Sequence, residues 1–317
     1  MKKRFATTLI LVILSLIAVY GVSYVALGRI LHPVFYRVSE RVQKIPGAAE
    51  GFVPQGVTVI PDGRILVSAY SSGPSRIYIL DGNGGTSYIS LATEDGFPYK
   101  GHAGGITASG DYIYISNASR IFVLSLSDLL SSSSGDTVSF VSSFPVPCRA
   151  SFCSSDGEYL YVGEYHAPGY STEESHTISS SDGIHKAMVF AYRLSDSGKA
   201  EREPSLAFSV RDKVQGFALF DSKVALSCSS GLNPSLIAIY DASVFDGVYS
   251  IEGRDIPLMV LDSTKLIASF SAPHMSEDLE YRDDRLLVAF EAGSKPYGLG
   301  LIPSSLHSVM AMDLSIL

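Results

Sequence analysis

Three of the seven histidines, His166, His176 and His185, crowd into one stretch of this chain, with Glu164 just ahead of them. Imidazoles beside a carboxylate can hold a divalent metal or pass protons near neutral pH. A second set is scattered but recurs at one phase of a repeated phrase. Gln55, His102, Arg149, Gln215, Glu277 and Asp278 precede apolar runs, while Tyr70, Asn117, Glu164, Tyr165, His166 and Glu291 follow them. Together they offer amides, one guanidinium, imidazoles and carboxylates, enough to bind a polar ligand or to do acid–base work. What is missing narrows the chemistry. No Gly-X-Ser-X-Gly elbow marks a hydroxyl nucleophile, and no Cys-X-X-Cys pair marks a metal finger. The plain alternative is that these polar groups satisfy turn backbone and hold water.

A repeat places them. Five copies of one phrase open with Gln55-Gly56-Val57, Gly104-Gly105-Ile106, Ala150-Ser151-Phe152, Gln215-Gly216-Phe217 and Glu277-Asp278-Leu279. Successive copies lie about 45 to 65 residues apart, the period of a four-stranded blade. Each begins a hairpin whose turn carries Asp or Gly: Asp62-Gly63, Gly110-Asp111, Asp156-Gly157, Asp221-Ser222 and Asp283-Asp284. The second strands are β-branched and aromatic and end in a small residue (Ser68, Ser116, Gly163, Ser227 or Ala289), as strands crowding a central axis require. Third strands repeat as well, with Ser-Arg-Ile at residues 75–77 and again at 119–121.

Outer strands are expected at residues 86–91, 137–143, 205–210 and 266–271. The fifth unit has none, so residues 41–45 should close the ring by pairing with the last blade, because an unfinished blade leaves an exposed edge. The fold class is therefore all-β: a propeller of four-stranded antiparallel blades, five of them visible. Residues 245–261 could hide a sixth. Trp is absent, which argues against the Trp-Asp type of repeat.

Lys2, Lys3 and Arg4 precede an uncharged run over residues 6–27. At about 1.5 Å per residue, that run spans roughly 33 Å, enough for one bilayer crossing. Basic residues keep their end in the cytoplasm. Residues 1–5 then read as cytoplasmic, 6–27 as a transmembrane signal-anchor helix and 28–317 as an extracytoplasmic propeller; a signal peptide cleaved near Ala26-Leu27-Gly28 is the rival. The formal net charge of -8 sits badly with nucleic acid as a partner. Three cysteines, Cys148, Cys153 and Cys228, are too few for a disulfide framework and read as small buried hydrophobes, with a Cys148–Cys228 bridge conceivable across neighbouring blades.

Strand direction locates the site. Innermost strands begin, and second strands end, at the same mouth of the channel. The two longest loops, residues 164–186 and 291–307, should overhang it. The candidate ligand-binding residues are thus Gln55, His102, Arg149, Glu164, His166, Gln215, Glu277, Asp278 and Glu291.

The phrase Pro54-Gln55-Gly56-Val57, followed by Pro61-Asp62-Gly63-Arg64-Ile65-Leu66-Val67-Ser68, resembles the blade openings of strictosidine synthase-like, gluconolactonase-like and NHL-type propellers. It covers one hairpin per blade. The resemblance implies a divalent cation, often calcium, held in the channel by a Glu and several Asn or Asp side chains. On the matching positions this ring reads Gln55, Gly104, Ala150, Gln215 and Glu277, with Asn117 and Asp278 nearby. Only Glu277 is a carboxylate there, against the six to eight oxygens that calcium prefers. Two functions follow as expectations: binding of a small-molecule or protein ligand at the mouth without chemistry, or a lactonase or esterase using the same mouth with or without a cation.

Overall fold

The computed structural model describes residues 26–298 and 305–316, together with 10–15, 19, 21 and 302. Five innermost strands, Val53–Val59, Gly105–Ser109, Phe152–Ser155, Val214–Phe220 and Ser276–Arg282, pack each against the next and the last against the first. Each carries two antiparallel partners outward. In chain order these are Ile65–Tyr70 and Arg76–Leu80, Tyr112–Asn117 and Arg120–Ser125, Tyr159–Gly163 and Ala187–Arg193, Lys223–Cys228 and Ser235–Asp241, Arg285–Phe290 and Ser308–Met312. The chain is a five-bladed β-propeller.

Four blades finish with their own outer strands, Thr86–Ala92, Ser142–Pro145, Leu206–Val210 and Leu266–Ala272. The fifth is completed by Ser39–Lys44, which pairs antiparallel with Ser308–Met312. Two expectations are corrected. The second blade's outer strand is Ser142–Pro145, whereas Thr137–Ser139 runs parallel to Ser90–Ala92 and extends the first blade. The stretch 245–261 is no sixth blade. It forms a hairpin, Gly247–Ile251 with Arg254–Val260, whose second strand adds in parallel to Leu206–Val210 on the third blade. In both places an added strand found a parallel neighbour, a choice that local alternation does not encode.

Aromatic side chains fill the wedges between blades. Phe217 sits 5.0 Å from Tyr161 and 5.2 Å from Phe208, ring centre to ring centre, and all three are buried. Near the axis the strands come too close for side chains. A Cβ on Gly56 would lie 2.4 Å from the Ile106 nitrogen, and one on Gly216 would lie 2.7 Å from the Leu279 nitrogen. The small residues of the second strands are buried too, and two of them, Ser68 and Ser227, stitch blades together through their hydroxyls. Ser68 Oγ donates to the Ala103 carbonyl and accepts from Gly56 N–H, and Ser227 shares a 2.7 Å hydrogen bond with Ser276.

Ahead of the closing strand, residues 26–31 are helical and a short helix, Pro33–Val38, buries Phe35 edge-on against Phe290 at 5.8 Å. Among the described residues no helix is long and apolar enough to cross a membrane; most of the expected anchor, residues 6–27, lies outside the described residues. All three cysteines are free and buried, so Cys148 and Cys228 form no bridge.

Candidate functional site

The five ring positions converge. Gln55, Gly104, Ala150, Gln215 and Glu277 all line one cavity of about 570 Å³, along with His102, Asn117, Arg149 and Glu291. Backbone geometry turns them there. The innermost strands of blades one, four and five each carry a register irregularity at this level, between Pro54 and Val57, Val214 and Gly216, and Ser276 and Leu279. A bulge re-aims one side chain out of the alternation, and here it aims Gln55, Gln215 and Glu277 at the channel. A residue of positive φ also stands within two positions of every innermost strand start: Gly51, Ala103, Ala150, Lys213 and Met275. Four are not glycine, so this rim holds a backbone that costs energy.

Tyrosines form the walls. Tyr70 and Tyr165 follow second strands, and the two long loops deliver Tyr170 and Tyr297. Tyr70 stacks on His102 with ring centres 3.9 Å apart, and Tyr165 meets Tyr170 edge-on at 5.4 Å. Tyr170 and Tyr297 escaped sequence reasoning, because a loop tyrosine carries no periodicity to mark it.

Glu277 and Glu291 meet at the inner wall and share a hydrogen bond. Gln215 Nε2 donates to Glu277 at 3.3 Å, Gln55 Nε2 donates to Glu291 at 3.1 Å, and Tyr297 bonds Glu291 as well. Burial, and then the Glu291 and Asp278 charges, push Glu277 well above the ordinary carboxylate range. Burial raises Glu291 to about 7, opposed by its hydrogen bonds from Gln55, Tyr297 and Glu277. The pair therefore holds protons at neutral pH rather than standing as two carboxylates.

The same strand sinks two more acids below that pair. Asp278 is fully buried; its Oδ2 accepts from Ile106 N–H at 3.3 Å, while Oδ1 has no partner among the described residues. Glu280 accepts from Thr58 at 3.0 Å and Thr107 at 3.4 Å, and burial raises it to about 8. Glu280 was missed by the sequence reading, although the run Glu277-Asp278-Leu279-Glu280 on an innermost strand was a signal.

Other expected residues go elsewhere. Glu164 turns away from the cavity and is fully buried, accepting from His176 Nδ1 at 2.5 Å, Met188 N–H at 3.2 Å and Arg149 N–H at 3.3 Å. His166 pairs with Asp212 at 2.9 Å beside a separate cavity toward the fourth blade, and His185 bonds Ser209. Of these three successive residues past the strand end, only Tyr165 lines the mouth. The histidine cluster thus disperses. Among the described residues, no group of three or more His, Cys, Asp or Glu could hold a metal ion. Asn117 Oδ1 accepts from the His102 N–H, and Glu277 is engaged with Glu291 and Gln215, so the donor set does not suit calcium.

No protein-family model matches the sequence, and no curated protein is similar enough to count as a match. Solved structures with a similar chain path include a glucose-dehydrogenase-type oxidoreductase from Thermus thermophilus, at 15% identity and TM-score 0.44, covering 86% of this chain and 99% of that one. A luciferin-regenerating enzyme matches at 13% identity and TM-score 0.42, covering 86% of this chain and 94% of its own. A catalytically inactive virginiamycin B lyase from Staphylococcus aureus matches at 10% and 0.37, with 87% and 99% covered. The propeller fold expected from the hairpin phrases is shown by the strand pairing itself. No activity passes to this chain at such distances, and its blade count rests on its own strand pairing.

Proposed function

We propose that this propeller binds a polar small molecule in the mouth lined by Gln55, Gln215, Glu277 and Glu291, and that residues 6–27 tether it to the outer side of a membrane. The hydrogen-bonded Glu277–Glu291 pair carries the reading. Folding gains nothing from two acids held together without a cation, since burial of an uncompensated charge is unfavourable. Groups kept at such a cost in an open cavity, with their titration moved toward neutrality, mark functional sites. The concave, tyrosine-walled shape favours a small ligand over a protein surface. Fragment binding followed by ligand-observed NMR on the full chain in detergent tests this. Glu277→Gln and Gln215→Ala should weaken the hits while the fold stays intact; hits of unchanged affinity in both variants would remove the mouth from the account. For the tether, support comes from Lys2, Lys3 and Arg4 ahead of the uncharged run. Protease added to intact cells stripped of any outer layer should digest the propeller's loops, and a propeller that stays protected reverses the topology.

A second reading rests on Glu291. A carboxylate raised to about 7 beside a protonated acid suits general base and general acid roles in hydrolysis of a lactone or ester. Lactones and aryl esters, assayed with and without chelator, decide it. Turnover lost in Glu291→Gln supports hydrolysis, and absence of turnover at any pH from acid to alkaline leaves binding alone.

A further inference from the structure

The mouth is lopsided in charge, and the two sides come from different blades. On the wall made by blades four, five and one, two carboxyls meet, and Gln55 and Gln215 donate to them from their amide nitrogens. No Lys or Arg contributes to either carboxyl. A wall built around two touching carboxyls with no basic side chain beside them lacks a cation. Tyr70 and Tyr297 flank it, and the faces of such rings attract cations.

Arg149 stands on the third blade, across the ring from the acid pair. Its side chain is exposed at the rim and makes no ion pair among the described residues. A guanidinium on an exposed, extensible side chain is a fork for a carboxylate. The acid pair and Arg149 therefore ask for opposite charges within one molecule.

We infer that the mouth takes a zwitterion of the amino-acid class, its ammonium group against Glu277 and Glu291 and its carboxylate toward Arg149. The inference rests on the mouth being a ligand site and adds the ligand's class. A neutral polyol would use the amides and tyrosines but leave both charges unanswered. A dianion would meet Glu291 directly.

Isothermal titration of the full chain in detergent tests it with four matched probe sets: unmodified amino acids with aromatic or aliphatic side chains, their decarboxylated amines, their N-acetyl forms, and neutral monosaccharides. At least one amino acid should bind. N-acetylation should weaken it by about 100-fold, and decarboxylation by about tenfold. Arg149→Ala should bring the amino acid down to the affinity of its amine while leaving the amine unchanged, and Glu291→Gln should weaken both. Equal binding of the N-acetyl form, or no binding of any amino acid or amine at millimolar concentration, overturns the zwitterion. A monosaccharide that binds with Tyr297-dependent affinity would sink this inference and keep the mouth as a ligand site. Probes whose binding is unchanged in Arg149→Ala, Glu277→Gln and Gln215→Ala alike would sink both. The N-acetyl comparison needs no variant, so a poorly folding mutant does not blunt the test.

Discussion

The two ends of the channel are built from the same strands and differ in almost everything else. At the far end, tight turns connect first to second strands and the backbone closes on itself: Asp111 N–H bonds the Ser197 carbonyl, and Tyr114 OH bonds the Gly198 carbonyl. A cavity of about 530 Å³ exists there too, yet Arg193 beside it pairs with Glu158, both at the exposed surface. At the near mouth the loops are long, the rim backbone is in left-handed conformations, Arg149 makes no ion pair among the described residues, and two carboxyls share a hydrogen bond. A cavity alone does not distinguish the ends. Two carboxyls in hydrogen-bonded contact do.

The largest expected effect comes from the strands both ends share. Gly56→Ala and Gly216→Ala should each destabilise by about 3 kcal/mol, because the new methyl meets backbone that cannot move aside. Gly157→Ala, in a far-end turn with open space around it, should cost only about 1 to 2 kcal/mol for its positive φ. Chemical denaturation measures both. If all three cost the same, the axis is looser than the contacts show.

Next comes pH. Glu280, raised to about 8, and Glu291, raised to about 7, hold protons in the folded protein that the unfolded chain releases near the ordinary carboxylate range. The native state then binds more protons, so stability is highest at mildly acidic pH and falls as pH rises from about 4.5 to about 8. Glu280→Gln should flatten that slope and gain a few kcal/mol at pH 8, read as a higher melting temperature. A profile that rises with pH would mean these acids are ionised when folded. Glu291→Gln should flatten the slope over its upper part and raise the melting temperature less, since that carboxylate is only partly buried.

The smallest effect belongs to the far end. Arg193→Ala removes an exposed pair and should change stability by less than about 1 kcal/mol, and ligand affinity not at all. A clear loss of binding in this variant would move the site to the wrong end of the channel.

Much of this contrast was legible in the chain. The phrase beginning Gln55, Gly104, Ala150, Gln215 and Glu277 repeats at one phase because the innermost strands obey one steric rule, and all five residues do line the cavity. Glu164 and His166 were misplaced because they lie past the strand end, where no strand periodicity fixes which way a side chain turns. The Glu277–Glu291 contact joins an innermost strand to the end of its hairpin partner through a bulge, and a bulge leaves no mark on polar residues. The outer strands were the least secure. Thr137–Ser139 and the hairpin at Gly247–Ile251 have mostly polar exposed faces, so burial does not fix their register or partner.

The strand Ser39–Lys44 has a consequence in time. A ribosome delivers it early and its partner Ser308–Met312 late, so for almost the whole of synthesis the closing strand has nothing to pair with. Blades one to four can assemble as they emerge, from contacts near in sequence. The ring cannot shut until the far end of the chain arrives, and that long-range step is the slow one. In the interval Phe35 lacks Phe290, and an unpaired edge is open to any neighbouring chain. Crowding of nascent chains, rather than weakness of the finished ring, is where this protein is most exposed to misassembly.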